Sequence, residues 1–294
     1  MKVNLKKTMI ATLVGVAFSA SSAFAAVTWY PPVTTFEDDN MEWFIDRDAN
    51  GVVSVGDTLV SVLEVFSSSG DFGGGPTGFG GQELTGVLAI DVTAAVNNGG
   101  SWTFTFGETA GGLASYLPGV DTTNIGAGSL VAMWLDSTPD LGIVPPNCVS
   151  MATCISAASD GALWEVDGLG ASVVGSDLGV DADAFFTATI VSNDPTVIAG
   201  LSSGQTGGDV NFGLSAMYNG TGQNLTEQNA IGPGGLVSVD VIGGGSIKGG
   251  QGLTNGAFSR SDFDFTKAVQ VPEPTSLALL GVGLLGLLGF RKRS

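Results

Sequence analysis

The sequence predicts an all-β protein: an antiparallel, Gly-rich β-sandwich with a helical signal peptide at its N-terminus and a short transmembrane helix at its C-terminus. Three observations predict it. Short runs rich in Val, Thr, Ile and Phe recur through the middle of the chain, as strands do. Glycine, 46 of 294 residues, clusters between them at 67–81 and 242–252. Apolar stretches of helical length occur only at the two ends. The chain therefore divides into residues 1–25, a body at 26–270 and a C-terminal segment at 271–294.

The first segment has the order of a secretory signal. Lys2, Lys6 and Lys7 make a basic start, 9–18 is apolar, and Ala23-Phe24-Ala25 is a small-x-small cleavage site. The mature chain is expected to begin at Ala26.

In the body, the runs at 58–66, 84–93, 101–106, 129–135, 184–192, 210–218 and 235–242 read as strands. In SWTFTF, Trp102, Phe104 and Phe106 share one face while Ser101, Thr103 and Thr105 share the other. Seven such strands with Gly-rich connections fit one sandwich domain. No repeat of fixed period marks a solenoid. Residues 136–160 show no alternation and predict a long loop. They hold Cys148 and Cys154, and in an oxidising compartment a pair this close predicts a local disulfide. Their spacing is not the Cys-x-x-Cys of a redox site.

Charge and composition exclude several functions. The ends take six of the ten basic residues but one acid, Glu273, which leaves the body 4 basic and 27 acidic groups and a net charge of about −23. Such a surface does not neutralise phosphates, so no nucleic-acid partner is expected. It suits solubility, divalent cations and calcium bridging to acidic polymers. The chain has no histidine, which removes Ser-His-Asp and Cys-His catalysis and His-ligated metals. Neither a P-loop nor a dinucleotide fingerprint is present. A glycosidase needs only two carboxylates, but among 27 acids some pair is always available. The body's tryptophans lie mostly in strand-like runs and are expected to pack in the core. The body is therefore expected not to be an enzyme.

The strongest local constellation is DRDANGVVSVGD at 46–57. Numbered as a calcium loop, it places Asp46, Asp48 and Asn50 at positions 1, 3 and 5, Gly51 at the turn, the Val52 carbonyl at 7, Ser54 at 9 and Asp57 at 12. Asp replaces the usual Glu at position 12, a shorter arm that weakens bidentate binding. Asn50-Gly51 is also a hairpin-turn signal, and the flanks look strand-like. Two readings stand: a calcium site, or a turn without metal.

The C-terminal segment has three parts. Val271-Pro272-Glu273-Pro274 stops any helix from extending back into the body. Residues 275–290 are apolar, and at ~1.5 Å per residue would span about 24 Å as a helix, short of a ~30 Å bilayer core. Arg291, Lys292 and Arg293 follow, suited to the cytoplasmic side. Gly281, Gly283, Gly286 and Gly289 give the helix a small-residue surface that another membrane helix can approach.

This tail resembles the sorting signal of PEP-CTERM proteins. The resemblance implies export by a Gram-negative bacterium, transient membrane anchoring by the tail and processing by exosortase near Pro272–Pro274. It also implies a cell-surface or extracellular-matrix destination tied to exopolysaccharide. The stretch FEDDNMEWFIDRDANGVVSVGDTL (36–59) is similar to the flocculation-associated members of that group. Together these imply a non-enzymatic surface protein that promotes aggregation, flocculation or biofilm. A carbohydrate-binding protein with a defined glycan site, or a carboxylate-dependent glycan hydrolase, are the alternatives.

Overall fold

The computed structural model describes residues 27–70, 74–143, 145–174, 183–190, 206–249 and 253–271. The signal segment, with Ala23, Ala25 and Ala26, and the tail from Pro272 onward lie outside the described residues. Among the described residues, no helix is long and apolar enough to cross a membrane.

Fourteen strands occur there: β1 (Val33–Ile45), β2 (Thr58–Gly70), β3 (Gly74–Thr77), β4 (Glu83–Asn97), β5 (Trp102–Glu108), β6 (Ser129–Asp136), β7 (Ala162–Gly168), β8 (Phe185–Ile190), β9 (Thr206–Asn219), β10 (Leu225–Thr226), β11 (Gln228–Gly232), β12 (Gly235–Val239), β13 (Val241–Gly249) and β14 (Ser259–Val269). The expected all-β antiparallel class is present, and its two layers are joined at both edges. Hydrogen bonding runs from β2 through β1, β14, β13, β9, β7, β6 and β4 and returns to β2, a closed barrel-like circuit.

Closure depends on β4 and β9, the two longest strands, each of which divides its pairing. Residues 83–88 of β4 pair with β6 and 90–97 with β5. Residues 208–213 of β9 pair with β8 and 215–219 with β7. One wall is thus β4-β2-β1-β14-β13-β9, and the other is split into a β6–β7 ribbon and a β5–β8 ribbon. Bulges at Glu37/Asp38, Val92/Ala94 and Val166/Asp167 bend the strands, and closure removes most exposed edges.

Two cores explain the apolar runs. Leu63, Leu84, Leu88, Ile90, Phe104, Phe106, Val131 and Met133 face the interior with Phe186, Phe212, Phe263 and Phe265. Val60, Val62, Val87, Ala89, Ala132 and Trp134 face outward under Leu113, Leu117 and Ile155. Strands β2, β4 and β6 are buried on both faces, so LTGVLAI reads as continuous rather than alternating. The single-faced alternation of SWTFTF holds: Phe104 and Phe106 are buried, and Trp102 packs against the same cluster.

The structure departs from expectation in three places. Residues 136–160 are not all loop, for Met151–Ala158 form a helix, α1. Its first turn is closed by a reciprocal Ser150–Thr153 capping box, and it lays Cys154, Ile155 and Ala158 on the outer core. The run 235–242 divides at Asp240: β12 leaves to pair with β11 in a separate hairpin, while β13 enters the barrel. The glycine clusters are not mere connections, since β2 runs to Gly70 and β13 spans 241–249.

Glycine in β13 is demanded by packing. A Cβ at Gly243 would enter the Phe212 ring, which is stacked on Phe186 at 5.2 Å. A Gly243→Val substitution is expected to cost about 1–3 kcal/mol through overpacking, read as a lower denaturant midpoint at unchanged slope; an unchanged midpoint would remove this account of the glycine.

Candidate functional site

The loop at 46–57 joins β1 to β2, so its setting is a β-hairpin and not a pair of helices. Ala49 (φ 57°), Gly51 (φ 77°) and Gly56 (φ 100°) take left-handed conformations that turn the chain back on itself. Asp46 accepts from the Gly51 N–H at 2.7 Å and the Asn50 N–H at 3.2 Å. Asp48 accepts from the Asn50 side chain at 2.7 Å and the Ser54 hydroxyl at 3.1 Å. Asp57, which is buried, accepts from Arg47 N–H at 2.9 Å, Ser54 N–H at 2.7 Å and Ser54 Oγ at 2.9 Å. The Asn50 side-chain oxygen Oδ1 accepts from the Val52 N–H at 2.7 Å.

This folding brings one oxygen each of Asp46, Asp48 and Asp57 within 4.8 Å of one another. Three carboxylates at that separation repel in the absence of a cation. The donors around them, Gly51 N–H foremost, hold the Asp46 carboxyl below its ordinary range. Hard oxygen donors of this kind suit Ca²⁺. Arg47 points away from the cluster: its Nε donates to Thr58 Oγ1 at 2.8 Å and its Nη2 to Tyr116 at 2.9 Å, and it lies 3.8 Å from Asp91.

Cys148 and Cys154 are joined by a disulfide. It ties the approach to α1 onto the helix, where Asn255 donates to Cys154 Sγ at 3.3 Å. At the other end of the body, β14 finishes at Val269, and the Gln270 N–H donates to Asn224 O at 2.8 Å. Val271, which follows, is exposed.

A second constellation escaped the sequence reading. Lys267 on β14 is fully buried, with Nζ 3.0 Å from Asp167 Oδ2 and 2.8 Å from Glu165 Oε2, both on β7. The Phe265 and Trp164 ring centroids lie 5.4 and 6.0 Å from Nζ. Burial, reinforced by the Asp167 charge, pushes Glu165 up to about 8. Burial also raises Asp167, against the pull of Lys267. For Lys267, burial alone would depress the ammonium, yet the facing Asp167 and Glu165 outweigh it and hold it above its ordinary value. In the sequence Lys267 follows Phe263 and Phe265 at period two, but nothing there pairs it with residues a hundred positions earlier.

On β1, Asp38 and Glu42 also turn inward. Asp38 accepts from Phe263 N–H at 3.0 Å, and burial raises it well above its ordinary value. Glu42 accepts from Ser259 at 2.6 Å and from Ser261; burial nonetheless pushes it up to about 7.

Residues 270–293 match the PEP-CTERM protein-sorting motif. The match covers the tail alone, and it marks an exported protein that exosortase processes at the membrane. No curated protein and no solved structure matches the chain.

Proposed function

We propose that this protein is a non-enzymatic component of the Gram-negative cell surface or extracellular matrix, promoting exopolysaccharide-associated aggregation, flocculation or biofilm. The sorting motif at 270–293, joined to a strongly acidic closed barrel, carries this reading. Three of the four body cations are already committed to carboxylates: Arg47 to Asp91, Lys248 to Asp262, and Lys267 to Glu165 and Asp167. Little positive charge is left to hold an acidic polymer directly, so divalent cations are the natural bridge. Deleting the gene in its host is expected to disperse flocs with exopolysaccharide yield unchanged. Persistent aggregation with altered polymer length or composition would favour an enzyme instead.

The loop at 46–57 is the proposed calcium site, held by Asp46, Asp48, Asp57, Asn50, Ser54 and the Val52 carbonyl. Titrating Ca²⁺ into the purified protein is expected to release or absorb heat and to raise Tm. At a free concentration a hundredfold above Kd, the stabilisation is about 2.7 kcal/mol. Asp48→Asn is expected to abolish most of that shift. No heat and no Tm change in the parent would reduce the loop to a turn.

A glycan site is the second reading. A surface groove of about 470 Å³ runs between residues 118–124 and α1, where Asp121, Asn124, Ser156 and Asp160 offer polar atoms beside the apolar Val120 and Leu163. Saturable binding of one purified glycan, lost in Asp121→Ala, would promote it over the structural role.

A further inference from the structure

We propose that Lys267 and Asp167 become joined by an intramolecular isopeptide bond, with Glu165 as the proton shuttle. The geometry points to it. An amine and a carboxyl stand at 3.0 Å in a fully buried place, with a second carboxyl 2.8 Å from the same nitrogen. Aromatic rings flank the group. Among the described residues, Glu165 Oε1 and Asp167 Oδ1 have no hydrogen-bond partner. Buried charges of this kind are costly, and forming a neutral amide removes two of them.

The reaction balances without a co-reactant. In water the amine is an ammonium and the acid a carboxylate, which do not condense. Lys267 rests as an ammonium, held so by the facing acids. The reaction starts from the minor form in which its proton has passed to Asp167, a neutral pair that the dry interior favours relative to water, while Glu165 keeps its own proton because burial holds it up at about 8. The Nζ lone pair attacks Asp167 Cγ and the C–N bond forms. Glu165 donates its proton to a departing hydroxyl and takes one from nitrogen, the Cγ–O bond breaks, and water leaves. Lys267 and Asp167 are 100 residues apart, so the amide would tie β14 covalently to β7 across the barrel.

Intact-mass spectrometry of the exported, folded protein after reduction of its disulfide tests this. The expected mass is that of the processed sequence less one water, and a chymotryptic digest yields a branched peptide joining Asp167 to Lys267. Lys267→Arg and Glu165→Gln are expected to keep the full mass. Asp167-Gly168 can also lose water by closing a succinimide on itself, so the branched peptide decides. A folded parent protein of full sequence mass overturns the proposal even if both variants fail to fold. So does a one-water deficit without the branch, or a branch at Glu165.

Discussion

Replacing Lys267 with methionine is expected to destabilise the protein by about 3–5 kcal/mol at pH 7, the range for breaking a buried ion pair by removing one partner. For a body of this size that corresponds to a fall in Tm on the order of 10 °C. The substitution keeps the volume of the side chain but leaves Glu165 and Asp167 sealed in the barrel with no cation. Glu165, held up at about 8, already folds with its proton at pH 7; Asp167 must then take one up as well, so the deficit should shrink toward pH 5 and widen toward pH 8. Adding Glu165→Leu and Asp167→Leu to the methionine variant removes the orphaned charges and should recover much of the loss. An isopeptide bond would deepen the loss without changing its sign. A Lys267→Met protein that melts with the parent at pH 7 would show that the triad is not a structural hinge of the fold.

The parent protein is expected to be more stable at pH 5 than at pH 8, the reverse of a protein held by ionised salt bridges. Glu42 is pushed from an ordinary 4.5 up to about 7 by burial. A carboxyl raised in this way binds its proton more tightly folded than unfolded. Its contribution is complete below 4.5, declines as pH rises, and is gone once pH passes about 7. Over that window the loss amounts to about 3 kcal/mol. Asp38 is shifted in the same direction by burial, and Glu165 extends the decline to about 8. Thermal melts from pH 4.5 to 8.5 in chelator, which keeps the 46–57 loop from contributing through metal, should show Tm falling across the range. Glu42→Gln should reduce the slope between 4.5 and 7, with Glu64, also pushed up to about 7 by burial, keeping part of it; a variant that tracks the parent across that interval would assign the slope to other groups.

These buried acids also explain which parts of the fold were legible. Strands β2, β4, β5 and β6 announced themselves because both their faces, or one face in strict alternation, are apolar. Strands β1 and β14 did not, although they lie side by side in the wall. The inward positions of β1 include Asp38, Asn40 and Glu42, and those of β14 include Ser259, Ser261 and Lys267, so polarity no longer distinguishes inside from outside. The 46–57 loop was readable because its candidate ligands are contiguous and their spacing is set by one turn. The Lys267 triad was not, because its members meet only after β7 and β14 have closed opposite sides of the barrel. Helix α1 was hidden by its brevity and by Ser150, Thr153 and Ser156, residues that read as loop until the capping box is formed.

The order of strands has a consequence in time. β14 is the last strand made, and it lies between β1, the first, and β13, with Val33 opposite Ala268. An exported chain reaches its compartment N-terminus first, so β1 and β13 wait with open edges until residues 259–269 arrive. The same strand also delivers Lys267 to Asp167 and Glu165. Val269 is followed by only two residues before Pro272, so the strand that completes the wall and the sorting tail are neighbours in the chain. A chain that stalls or is clipped upstream of β14 presents an unfinished wall, vulnerable to proteolysis, and never displays the tail. Residues 259–293 thus carry, one after the other, the strand that completes the wall and the signal by which the chain is processed.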